Sequence, residues 1–156
     1  MTLRLITGLS VQRRSKRSND QTARCTLSGP GVPPDMDIEG AILEAAVQTD
    51  VGLVLFLTQD LPYEDSLSIQ LFNAAWQVLD SASLGAAYTT GSFTGVRVIE
   101  PDRIGFRFFG DTEWTLRILN SPTWRLPLWS DAPGVRHTFG FKRHFLIQGR
   151  PQRGGA

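Results

Sequence analysis

Apolar and polar residues alternate along much of this chain with a period of two. Ser68 and Gln70 separate Leu67, Ile69 and Leu71; Gly105 and Arg107 separate Ile104, Phe106 and Phe108; Thr115 and Arg117 separate Trp114, Leu116 and Ile118. Such alternation marks strands with one face turned to a core. Val51–Leu57 instead reads as a short, continuously apolar run, which suits a central strand. One hairpin is expected around Asn73–Trp76, with Leu71 facing Val78. A second runs from Arg103 to Leu119, turning on Gly110-Asp111-Thr112 and pairing Phe108 with Trp114, Phe106 with Leu116 and Ile104 with Ile118. In that register Gly105 lies across from Arg117 and leaves room for it. Val96–Ile99 adds a strand, and a final hairpin is expected from His137 to Ile147, turning around Phe141, Lys142 and Arg143.

One segment has helical spacing instead. Ile38, Ile42, Ala45 and Ala46 form a stripe behind Asp37 as N-cap, and Leu43 and Val47 add an apolar pair four apart, so Met36–Thr49 is predicted as a helix. The whole pattern predicts a mainly β chain: an antiparallel two-sheet sandwich or small barrel of about six to eight strands with one short N-terminal helix. There is no alternation of strands with helices, which excludes a doubly wound fold.

Composition sets the expected boundaries. Residues 1–35 are polar and basic around Arg13–Asp20 and rich in glycine and proline from Gly29 to Pro34. They read as a flexible basic N-terminal tail. Residues 36–148 are expected to form a single β-rich domain, and 149–156 a flexible C-terminal tail. The weak apolar run Leu3–Val11 precedes the basic cluster, the reverse of a secretory signal. No run approaches the roughly 20 apolar residues of a membrane-spanning helix. Cys25 is the single cysteine, is expected to be exposed, and has no intrachain disulfide partner. These features lead to the expectation of a cytoplasmic protein.

Net charge is +1, but its distribution is uneven. Residues 36–96 contain eight acids and no Lys or Arg, whereas residues 97–156 contain ten basic residues and five acids. Asp60, Glu64 and Asp65 cluster in an inter-strand loop. Arg107 and Arg117 share a sheet face with Arg97, and Arg103 starts its strand. From Met36 onward thirteen acids outnumber ten basic residues, which argues against nucleic acid as the partner.

No catalytic motif emerges. The serines near Ser81 lack a nucleophile elbow, and Thr89–Gly95 lacks the Lys-Ser/Thr of a phosphate-binding loop. Cys25, His137 and His144 do not have the spacing of a structural zinc site, and no cofactor is expected. The segment Ser121–Gly134 holds Trp124 and Trp129 among three prolines. It is expected to be a crossing loop in which Trp124, Leu126 and Leu128 close the core, or in which Trp129, beside Arg125 and Asp131, anchors a partner.

The chain therefore reads as a non-catalytic protein-binding or regulatory module. An inhibitor or toxin-neutralising (immunity-like) protein acting through its acidic loop is the narrower form. The candidate contact residues are Asp60, Glu64, Asp65, Arg107, Arg117, Trp124 and Trp129. A calcium- or carbohydrate-binding sandwich is one alternative, its acids being Asp60, Glu64 and Asp65 joined by Asp50, or by Asp102 and Asp111 from other loops. A hydrolase using Asp or Glu with His137 or His144 is another. The expected partner is another protein, homo-oligomers are compatible with the pattern, and a membrane partner is not expected.

Overall fold

A computed structural model describes residues 2–14, 23–60, 66–85, 92–108, 113–124, 135–137 and 142–149. Every regular element among them is a β-strand, arranged in three antiparallel sheets. The middle layer is a six-stranded sheet of β1 (Arg4–Leu5), β5 (Ile42–Gln48), β6 (Leu53–Thr58), β7 (Leu67–Phe72), β8 (Val78–Leu84) and β12 (Val135–His137), in that spatial order. A three-stranded sheet of β2 (Ser10–Arg13), β3 (Arg24–Ser28) and β4 (Met36–Glu39) covers one face. A four-stranded sheet covers the other, in the order β13 (Lys142–Gly149), β11 (Glu113–Trp124), β10 (Arg103–Arg107) and β9 (Thr94–Ile99).

This layering explains the continuous apolar run of β6. Val54 and Phe56 pack toward the four-stranded sheet, against a core that includes Ile104, Phe106, Trp114 and Phe145. Leu53, Leu55 and Leu57 pack the other way, against Cys25, Leu27 and Ile38. Successive side chains on a strand point to opposite faces, so an internal strand between two cores is apolar throughout. Phe56 meets Phe93 and Phe106 with ring centroids 5.3 Å from each.

The expected helix is absent: Met36–Thr49 contains β4 and β5. The chain passes between two sheets at Gly40, whose φ is +134° and whose Cα lies so close to Leu57 that an added Cβ would stand 2.6 Å from the leucine Cβ. Within β5 the pairing with β6 slips between Leu43 and Ala45. Leu43 and Ala46 face the three-stranded sheet, and Ala45 and Val47 face the other core. The residue skipped at Glu44 turns a period of two into a spacing of three from Leu43 to Ala46, while the Ile38–Ile42 step crosses between two sheets, and together they imitate a helical stripe.

The N-terminal segment also differs from the expectation of a tail. β1, β2 and β3 lie within residues 1–35, and Leu3, Ala23, Cys25 and Leu27 are buried. Cys25, expected to be exposed, has no accessible surface. The basic composition that suggested a tail sits on outward positions such as Arg14 and Arg24, while alternate residues of β3 enter the core. Residues 15–22 and 150–156 lie outside the described residues.

All three hairpin expectations change in register or partner. In β10–β11 the pairs are Phe106 with Trp114 and Ile104 with Leu116, two residues from the expected register. An even shift keeps every side chain on its own face, so the apolar row still points inward. In β7–β8 an irregularity places Phe72 opposite Val78 and Leu71 opposite Asp80. The final hairpin does not form: β12 pairs with β8 in the middle sheet, whereas β13 pairs with β11 in the outer one. The Asp80 carboxylate ties these sheets together, accepting the Ser81 N–H at 2.8 Å and the His144 backbone N–H at 2.9 Å.

Candidate functional site

The central strands of the middle sheet are covered on both faces, and among the described residues the two outer sheets each present an exposed surface. The outer side of the three-stranded sheet is balanced in charge. Arg24 donates to Asp37 at 2.9 Å, Arg14 lies 3.6 Å from the same carboxylate, and Glu39 stands opposite Arg24 across the pair. The outer side of the four-stranded sheet is not balanced. Ile104 and Phe106 of β10 point into the core, which turns Arg103, Gly105 and Arg107 outward. The same alternation turns Arg117 outward on β11 and Arg97 outward on β9. Four arginines thus occupy one face with the carboxylates of Asp102 and Glu113.

The geometry separates these arginines into two kinds. Arg117 donates to Asp102 at 3.1 Å, and the Asp102 carbonyl accepts the Ile118 N–H at 2.8 Å, so this guanidinium is fixed to the β9–β10 turn. Arg97 reaches across β10 and bonds Glu113 on β11. It crosses above Gly105, where a Cβ would come within 2.9 Å of Arg97 Cζ. The glycine therefore accommodates Arg97, its partner on β9, and not Arg117, which lies opposite Arg103. Arg103 and Arg107 are exposed and have no ion pair among the described residues. Arg107 faces Glu113 in register, but that carboxylate is engaged by Arg97.

Directly opposed like charges such as Arg103 and Arg117 disfavour a strand pair. A face of this kind is suited to meeting external negative charge. A bulge between Gly105 and Arg107 in the pairing with β9, at Gly95 with φ +65°, interrupts the outermost strand, while β10 itself stays in unbroken register with β11.

The other expected contact residues are not gathered here. Asp60 is exposed, has φ +58°, and is bound by Arg13 at 2.7 Å. Glu64, Asp65 and Trp129 lie outside the described residues. Trp124 ends β11 opposite Lys142, so the strand continues into the segment expected to be a loop. The ladder accommodates Pro122 because its register is irregular between Ile118 and Thr123, where a missing N–H is tolerated.

Of the acids expected to converge on calcium, the three among the described residues are engaged separately. Asp50 accepts the Thr2 N–H at 3.0 Å, Asp60 binds Arg13, and Asp102 binds Arg117. Asp111 lies outside the described residues. Among the described residues no three His, Cys, Asp or Glu side chains form a metal-holding group. His137 and His144 belong to strands of different sheets. Burial pushes the Cys25 thiol up to about 11, Asp37 adding to the rise and Arg24 opposing it.

The chain matches no known protein family, characterised protein or solved structure.

Proposed function

We propose that this chain is a non-catalytic protein-binding or regulatory module that holds an acidic partner on the outer face of its four-stranded sheet. The observation that supports this reading is the pair of exposed arginines, Arg103 and Arg107, which have no ion pair among the described residues and stand on a face that already sets Arg103 against Arg117. Arginine suits such a surface because its planar fork grips carboxylates through two parallel hydrogen bonds. The four-stranded scaffold holds these side chains at fixed spacing, which lowers the ordering cost of binding. An inhibitor-like role through the loop that begins at Asp60 is less favoured, because Arg13 occupies its first carboxylate.

Affinity capture by the tagged full chain from its native lysate, followed by a salt wash, tests this function. The expected result is one stoichiometric acidic protein, released as salt approaches about 1 M, where the Debye length falls to about 3 Å. A partner with a basic contact surface, or one indifferent to salt, contradicts the proposal.

A further inference from the structure

The spacing of the arginine row narrows the chemistry of the partner. Residues on one face of a strand recur at roughly 7 Å, two steps of about 3.4 Å each. Arg103 and Arg107 occupy the first and third such positions of β10. The second is Gly105, and the guanidinium above it belongs to Arg97. The backbone positions of Arg103 and Arg107 and the Arg97 guanidinium, which is held by Glu113, therefore follow one another over the outer face of β10 at near-strand period, although two neighbouring strands supply them. β10 keeps unbroken register with β11 along this stretch, so the row stands on a regular floor.

Resting on the protein-binding reading, we infer that this face takes an extended acidic peptide laid along β10, with carboxylates at alternate positions. A peptide in extended conformation repeats its side chains at the same roughly 7 Å period, so an Asp-x-Asp-x-Asp segment meets Arg103, Arg97 and Arg107 in step. Aspartates at consecutive positions point to opposite sides and cannot all reach the row. Single-stranded nucleic acid also has repeating negative charge, but its binding surfaces add exposed aromatic rings for base stacking. Here Phe106, Trp114 and Phe145 face the core and are buried, and no aromatic ring is exposed on this face among the described residues.

Fluorescence anisotropy on the full chain at low salt tests the inference. The probes are a labelled peptide with three aspartates alternating with serines, a peptide of identical composition with its aspartates contiguous, and an oligothymidylate of matched charge. Since an exposed ion pair contributes up to about fivefold in affinity, the alternating peptide is expected to bind about fivefold tighter than the contiguous one. Arg103→Ala/Arg107→Ala is expected to weaken it roughly tenfold or more. Arg103→Lys/Arg107→Lys, which keeps the charge and loses the fork, should fall between. Thermal melting of each variant confirms that these exposed changes leave the fold intact.

Equal affinity for the two peptides overturns the alternate-carboxylate inference. Tighter binding of the oligothymidylate overturns the peptide class. In either case the protein-binding reading fails separately, only if the captured partner is unaffected by charge reversal on this face.

Discussion

Arg97 crosses a strand because Gly105 has no side chain to stop it. What an added methyl meets decides the cost at each glycine. At Gly105 it meets the ends of Arg97 and Ile99, which can swing away, and alanine also suits a strand better than glycine by roughly 0.5–1 kcal/mol. Gly105→Ala is therefore expected to keep stability within about 1 kcal/mol while displacing Arg97 from Glu113. At Gly52 the added Cβ would lie 2.0 Å from the Phe72 carbonyl oxygen, a backbone atom fixed in the β6–β7 pair. Gly52→Ala is expected to destabilise by about 2 kcal/mol or more. Denaturant melts of the two variants distinguish these outcomes.

Cys25 gives a second residue-level expectation. Its thiol is buried and raised from the ordinary 9.0 to about 11. Between those values the folded chain keeps a proton that the unfolded chain loses. This contribution to stability is thus fully present below about 9 and declines as pH rises toward about 11. Cys25→Ser should remove that part of the alkaline decline. A thiol reagent at pH 8 should label native protein slowly and denatured protein fast; equal rates would contradict the burial.

At the scale of elements, β6 carries the argument for three layers. A two-sheet sandwich would leave one side of this strand wet, and substitutions there would cost about 0.5 kcal/mol or less. The observed packing buries both sides. Phe56→Ala is expected to cost about 3–5 kcal/mol and Leu55→Ala about 2–5 kcal/mol. A cheap Leu55→Ala would remove the three-stranded sheet from the account.

The apolar run of β6 and the alternation in β7, β10 and β11 were legible in the sequence, because regular strands write their period directly. β5 was not, because the bulge at Glu44 rewrote its period as a helical one. The register of β10–β11 was legible only to within an even shift, since alternation fixes the face and not the partner. β12 and β13 were read as a hairpin because they are neighbours in sequence, and their placement in different sheets depends on long-range pairing.

At the scale of the whole molecule, the two outer sheets differ in how the charges of their described residues are paired. The three-stranded sheet neutralises its own surface, whereas the four-stranded sheet keeps Arg103 and Arg107 exposed. The shared face of Arg97, Arg107 and Arg117 followed from alternation alone. The distinction between engaged and available arginines did not, because it depends on Glu113 and Asp102 reaching across strands and a turn. Asp60 shows the same limit: nothing in its local sequence indicates that Arg13, far away in the chain, would bind it. Glu113→Gln removes a carboxylate from the arginine face and releases Arg97, so it is expected to strengthen binding of an acidic peptide, up to about fivefold by anisotropy. Weaker binding would mean that the Arg97–Glu113 pair is itself needed to shape the surface.

The central claim is that the partner docks on the arginine face and not on the Asp60 side. The most direct test is capture from one lysate by three full-length baits side by side: wild type, Arg103→Glu/Arg107→Glu, and Asp60→Arg. Wild type and Asp60→Arg are expected to retain the same acidic protein, and the double arginine variant to lose it. Retention by the double variant, with loss by Asp60→Arg, would contradict the account and return the binding surface to the acidic loop.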